Sequence, residues 1–273
     1  LTQISSTITQ LLMQRCTSIV VYLEDYYREY INGISMEDII CFIGSFIQTN
    51  PLEINVKEVA DFEKMKDKVY FRLINYRYNE DLLQSIPHVR YLDLAIVFSL
   101  SFRDTGYVSM TIDNNLMERW GKSVEELYEQ AKKNTPRLFD VSFKTLGDIL
   151  IDLAYKQLKD KEVLEDFTKS IREVEIIALY VLTNTIGING ASVMLYEDVF
   201  KGISRRFETD LIILPSSINE VLVLVCWRED DICKLKEMVH DINRNEVSMT
   251  DVLSDNIYRY SREKDEVYIV TED

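Results

Sequence analysis

Seven consecutive apolar residues, Val221 to Trp227, constrain the fold more than any other stretch of this 273-residue chain. A valine-rich run of that length, with no polar face, predicts a strand that lies inside a sheet covered on both sides or in an interface. The apolar Leu211 to Leu214 precedes it, and the kink Pro215-Ser216-Ser217 lies between, so the pair reads as a hairpin. Burying such a strand requires a sizeable core, and 47% hydrophobic with 28% charged residues supplies one. With 8 glycines and 4 prolines the chain has too little turn punctuation for an all-β sandwich. No apolar run reaches the ~20 residues that a bilayer span requires, which excludes a transmembrane helix. The formal net charge of −15 argues against direct nucleic-acid binding, because phosphate contact needs a surplus of Lys and Arg.

The spacing of Ile8, Leu11, Leu12, Cys16, Ile19, Val20 and Leu23 predicts a helix, and Ser35 caps a second one through Ile39, Ile40, Phe42 and Ile43. Residues 1–50 therefore form an N-terminal helical segment. A first α/β unit spans 51–140, with strands at Val69 to Ile74, Leu94 to Ser101 and Tyr107 to Ile112. The last two form a hairpin over 94–112. Asp113 caps the next helix, and Ser123 with Glu126 makes a capping box for another. A helical connection covers 141–175, beginning at Phe143. The second α/β unit, 176–273, holds strands at Ile177 to Leu182 and Ala191 to Tyr196, a helix from Val199, the 211–227 hairpin, a helix after Asp230-Asp231, and strands at Ile257 to Tyr260 and Val267 to Val270. Matching Gly106 with Gly190, Met110 with Met194 and Asp113 with Glu197 makes the two units a weak repeat of strand, strand and helix. The fold class is α+β with a mainly antiparallel sheet, because connections inside each unit are too short for parallel crossovers.

Cys16, Cys41, Cys226 and Cys233 match no metal spacing, and their apolar neighbours predict buried reduced thiols in a cytoplasmic protein. The start at Leu1 lacks a basic leader region, so no secretion signal is expected. Paired acidic residues stand where helices begin, which explains them without a metal. His88 and His240 are isolated in sequence. Neither a catalytic group, a metal nor a cofactor is expected. The candidate binding residues are Thr183 and Asn184, at a strand end, and Ser216, Ser217, Asn219 and Glu220, in the hairpin kink. Ser216 or Ser217 could be presented there as a nucleophile, but without a G-x-S-x-G elbow or a nearby histidine these hydroxyls are expected to serve the turn's own backbone. The glycine turn Gly187 to Gly190 lacks the strand-to-helix context of a phosphate loop and reads as a plain hairpin turn.

The string Tyr180-Val181-Leu182-Thr183-Asn184, then Gly190-Ala191, Leu195-Tyr196 and Ile213 to Val221 with its Leu-Pro-Ser-Ser-Ile element, resembles an uncharacterised domain-of-unknown-function family of anaerobic gut Firmicutes. The likeness extends over roughly residues 50 to 262 and includes Leu92 to Val97, Met238-Val239 with Asn243, and Val252 to Asp255. That family commonly carries His where this chain has Asn219, which removes a catalytic base from the position. The resemblance implies a bacterial cytoplasmic protein carried on mobile elements, and no known activity.

Residues 229 to 273 hold 13 acidic and 6 basic side chains, so negative charge is concentrated in the last part of the chain. With 16 tyrosines available as amphipathic anchors, the sequence points to a non-enzymatic protein-interaction or adaptor module that engages another protein or itself. Two other readings stand beside it: a small-ligand protein or enzyme with a polar site at Thr183-Asn184 and Ser216 to Glu220, and an acidic DNA mimic that inhibits a basic partner.

Overall fold

The computed structural model describes residues 35, 56–102, 109–157, 161–173, 179–228 and 231–271. The N-terminal helical pair, the turn after Phe102 and two of the cysteines, Cys16 and Cys41, lie outside them. Short helices α1 (Val56–Val59) and α2 (Phe62–Met65) lead into strand β1 (Val69–Asn75). Then follow α3 (Glu80–Leu83), β2 (His88–Tyr91), β3 (Leu94–Ser101), β4 (Ser109–Thr111), α4 (Asn114–Trp120), α5 (Val124–Leu138) and β5 (Val141–Thr145). The second half runs α6 (Leu146–Gln157), α7 (Lys161–Glu173), β6 (Leu179–Asn184), a 3-10 helix (Gly190–Leu195), α8 (Val199–Phe207), β7 (Leu211–Pro215), β8 (Val221–Leu224), α9 (Ile232–Asn245), β9 (Tyr258–Ser261) and β10 (Glu266–Ile269).

Two antiparallel sheets result. In the first, β3 is central, with β1 on one side and both β2 and β4 on the other. The second has the order β10-β9-β7-β8-β6-β5, every neighbour antiparallel. The period of two divides each strand between layers. Val69, Phe71 and Leu73 of β1 and Leu94, Ile96, Phe98 and Leu100 of β3 share one core with Leu211, Ile213, Val221, Val223 and Tyr258 of the second sheet. On the other face of that sheet, Ile212, Leu214 and Leu224 meet Ile232 and Val239 of α9. The apolar β8 is thus interior and covered on both sides, as its composition requires.

Helix α5 closes the free edge of β1 by side-chain hydrogen bonds. Thr135 Oγ1 accepts from the Phe71 amide at 3.1 Å and donates to Ala131 O, while Asn134 Nδ2 donates to Val69 O at 2.8 Å. An edge strand occupied in this way offers few groups to another chain. The caps at Asp113 and Ser123 are formed, the second as a full capping box with Glu126.

Three sequence expectations are corrected. Ala191 to Tyr196 is not a strand, because β6 already has β5 on one edge and β8 on the other. Its chain instead turns at Asn189 (φ 51°), and Ser192 bonds back to Asn189 O through both its amide and its hydroxyl. The second unit therefore reads strand, 3-10 helix, helix, and the proposed repeat loses its second hairpin. The segment expected to be helical from Phe143 begins inside β5, whose Ser142 and Phe143 pair with Thr183 and Leu182. Finally, Cys226 and Cys233 are exposed free thiols: Cys226 lies just beyond β8, and Cys233 lies on the outer side of α9.

Candidate functional site

The two candidate elements meet at Gly190. Thr183 and Asn184 end β6, and the turn between β7 and β8 carries Ser216 to Glu220. Thr183 Oγ1 donates to Asn219 O at 2.7 Å, and Asn219 Oδ1 accepts from the Asn189 amide at 3.0 Å. The Ala191 amide donates to Ile218 O at 3.1 Å. A Cβ on Gly190 would stand 2.0 Å from Thr183 Oγ1, 2.4 Å from Asn219 O and 2.8 Å from the Asn184 amide nitrogen, so only glycine lets these backbones approach.

Each half of this junction is also internally bonded. Asn184 Oδ1 accepts from the amides of Ile186 (3.0 Å) and Gly187 (2.7 Å), and its Nδ2 donates to Ile188 O (2.8 Å). This asparagine builds the turn, with Gly187 at φ 75° supplying the left-handed residue. In the hairpin kink Ser216 Oγ and Ser217 Oγ both donate to Glu220 Oε1 at 3.1 Å, and Ser217 Oγ accepts from the Asn219 amide at 3.0 Å. The Ser217 amide donates to Glu220 O and the Ile218 amide to Asp251 O. The two hydroxyls donate to the Glu220 carboxylate and not to backbone carbonyls of the turn. Beside the junction, Tyr70, Phe139, Asn184, Ile188, Asn189 and Ser192 enclose about 10 Å³, the space of a single water.

Neither histidine completes a nucleophile here. His88 is on β2 with Nδ1 3.1 Å from Ile86 O, and His240 is on α9 with Nδ1 4.0 Å from Asp241. Among the described residues no group of three His, Cys, Asp or Glu side chains gathers in a metal-binding arrangement. No helix of the described residues is long and apolar enough to cross a membrane.

Two polar constellations were not singled out in the sequence. At the β2 to β3 turn, where Leu92 takes φ 54°, Asp93 Oδ2 accepts from Ser254 Oγ (2.6 Å) and Asn256 Nδ2 (2.9 Å), and Oδ1 accepts from Tyr258 Oη (2.7 Å). This carboxylate fastens the first sheet to the second. Burial, reinforced by the adjacent Asp93 charge, pushes the Tyr258 phenol well above its ordinary range. The strings Leu92 to Val97 and Val252 to Asp255, both part of the family likeness, were the available signal. The other constellation is an open groove of about 640 Å³ lined by Glu208, Thr209, Asp210, Trp227, Arg259, Arg262 and Glu263. Its residues are scattered through 56 positions of sequence, from 208 to 263, and form no local motif.

Over residues 3–262 the chain matches the family described as Family of unknown function (DUF5688). No curated protein and no solved structure matches it.

Proposed function

The chain belongs to this family of unknown function, and on that premise we propose that it is a non-enzymatic protein-interaction or adaptor module of the bacterial cytoplasm, engaging another protein or a second copy. The observation that carries this reading is the outer side of α9. Its Ile232, Val239 and Asn243 face inward, yet Met238 and Ile242, one turn apart, are 42% and 41% exposed. Met249, just past the helix, is 73% exposed. Flexible methionines gathered on a surface suit an adaptable protein contact. The junction at Gly190 supports the same reading, since its polar groups bond one another around a space for one water. A small-ligand or enzymatic role for Thr183, Asn184, Ser216, Ser217, Asn219 and Glu220 draws support from their convergence, but a ligand there would have to displace bonds already made.

The test uses the intact chain immobilised for capture, with sedimentation to report self-association. A Met238→Ser, Ile242→Ser and Met249→Ser triple variant is expected to lose the captured partner or the self-association while melting within a few degrees of the parent. A chain that captures nothing and stays monomeric, or a triple variant that binds as the parent does, contradicts the reading. Capture that disappears in moderate salt points instead to mimicry of a nucleic acid, because exposed charge pairs are screened within about 10 Å at 0.1 M salt.

A further inference from the structure

We propose that the groove between the end of α8, the start of β7 and the end of β9 is a binding site for a Lys- or Arg-bearing peptide segment of a partner protein. The proposal rests on the interaction reading only in taking the ligand to be a peptide.

The groove has a prebuilt floor. Asp210 Oδ2 accepts from Arg259 Nε at 3.1 Å and Nη2 at 2.9 Å, and its Oδ1 accepts from the Arg262 backbone amide at 2.9 Å. The Arg259 guanidinium lies 4.7 Å from the centroid of the Trp227 ring, and Trp227 Nε1 donates to Asp210 O at 3.4 Å. The Asp210 and Arg259 side chains are each about a quarter exposed, 27% and 27%, so their charges cancel in a partly desolvated place. The indole also packs against the core under α9, which holds the stack in position. Trp and Arg fixed in this manner are the residue types that dominate binding energy at protein contacts.

The remaining charge of the lining decides what the groove accepts. With Asp210 and Arg259 cancelled, Glu208 and Glu263 face one guanidinium, that of Arg262. Glu208 is held at this rim as the C-cap of α8, in the left-handed conformation, with its amide bonded to Ser204 O; Arg205 and Arg206 in the last turn offset the helix's own negative end, so the glutamates supply the attraction. The whole chain carries −15, which raises the local concentration of cations further. A Lys or Arg head therefore fits between the two glutamates, with its aliphatic stem along the indole, and an anionic ligand meets repulsion. About 640 Å³ accommodates one or two such side chains with their backbone.

The experiment titrates a capped Gly-Arg-Gly-Arg-Gly peptide into the full chain at physiological salt, followed by calorimetry and tryptophan emission, with the Glu-for-Arg peptide as the opposite-charge probe. The chain has 2 tryptophans, and Trp120 is buried in the core, so an emission change reports Trp227. The Arg peptide is expected to bind and shift emission. Glu208→Gln with Glu263→Gln should weaken it at least tenfold, and Trp227→Phe should weaken it and remove the emission response. Glu118→Gln with Glu129→Gln, exposed positions on α4 and α5, should change it less than twofold. Equal weakening by both glutamate pairs, preference for the acidic peptide, or no binding overturns the assignment. In each of those cases, capture that still depends on Met238, Ile242 and Met249 leaves the interaction reading standing.

Discussion

The Gly190 junction and the Trp227 groove are both polar places at the ends of second-sheet strands, and they differ in what their polar groups are left to do. At the junction, Thr183, Asn184, Ser217 and Asn219 reach backbone partners within a few residues of the point where two loops touch. The space beside it holds about one water. In the groove a carboxylate and a guanidinium neutralise each other under an aromatic ring, while Glu208, Glu263 and Arg262 line open volume. A high density of polar residues marks a turn whose backbone must be satisfied. An unspent charge beside a rigid aromatic surface marks a place where something else can bind.

The largest expected effect that would break this comparison is at Gly190. Gly190→Ala drives a methyl into Asn219 O and the Asn184 amide, which are backbone and cannot swing aside. We expect a loss of about 3 kcal/mol or more, read by chemical denaturation. A loss below about 1 kcal/mol would mean that the two loops are free to separate and that the junction can open to a ligand.

Next is Asp93, the clamp between the sheets. Asp93→Ala removes the acceptor of Tyr258 Oη, whose side chain is fully buried, and of Ser254 Oγ. About 2 to 3 kcal/mol should be lost, since a stranded buried donor forfeits its solvation. Asp93→Asn, which keeps an acceptor, should recover part of it.

Alkaline titration sharpens the same point. Burial, with a smaller contribution from Tyr128, pushes the Tyr91 phenol up to about 12, and Tyr258 is raised too. A phenol whose folded value exceeds the ordinary 10.0 stabilises the protein fully below pH 10, and that stabilisation disappears as pH rises toward 12. Tyrosinate absorbance should therefore rise in two stages, the second coinciding with loss of tertiary structure, and Tyr258→Phe should shrink the second. A single transition at the ordinary value would show these phenols to be accessible.

The smallest effect is at the rim. Lys201, and then the Tyr260 hydroxyl, hold the exposed Asp265 carboxyl below its usual value by hydrogen bonding. Any stabilisation from it exists above that usual value and fades as pH falls through the lowered one. Lys201→Met should raise the Asp265 pKa, measured by NMR titration, and leave the melting temperature at neutral pH unchanged, as expected of a solvent-screened pair.

Local patterns made much of the fold legible. The capping box at Ser123, the N-cap at Asp113 and the short, mostly apolar runs of β1, β3 and β7 each act within a few residues, so the sequence shows them directly. The strand β5 was not legible, because its five residues run straight into α6 and share that helix's apolar spacing. Nor was the 3-10 helix at Gly190, since what excludes a strand there is the occupation of both β6 edges by distant segments. Thr183 and Asn184 at a strand end, and Ser216 to Glu220 in the kink, are visible in the sequence as polar groups at strand ends. Their mutual contact through Gly190 was not visible, and neither was the groove, whose residues come from three separate parts of the chain.

We propose that the Ser216 to Glu220 turn holds the fold together and that binding happens elsewhere. The Ser216→Ala and Ser217→Ala double variant tests it most directly, with melting temperature and partner capture measured on the same sample. Ser217 is 9% exposed and both accepts and donates, so its loss should cost about 1 to 3 kcal/mol. A lower melting temperature with capture retained below the transition is expected; an unchanged melting temperature with capture abolished would place binding at the turn itself.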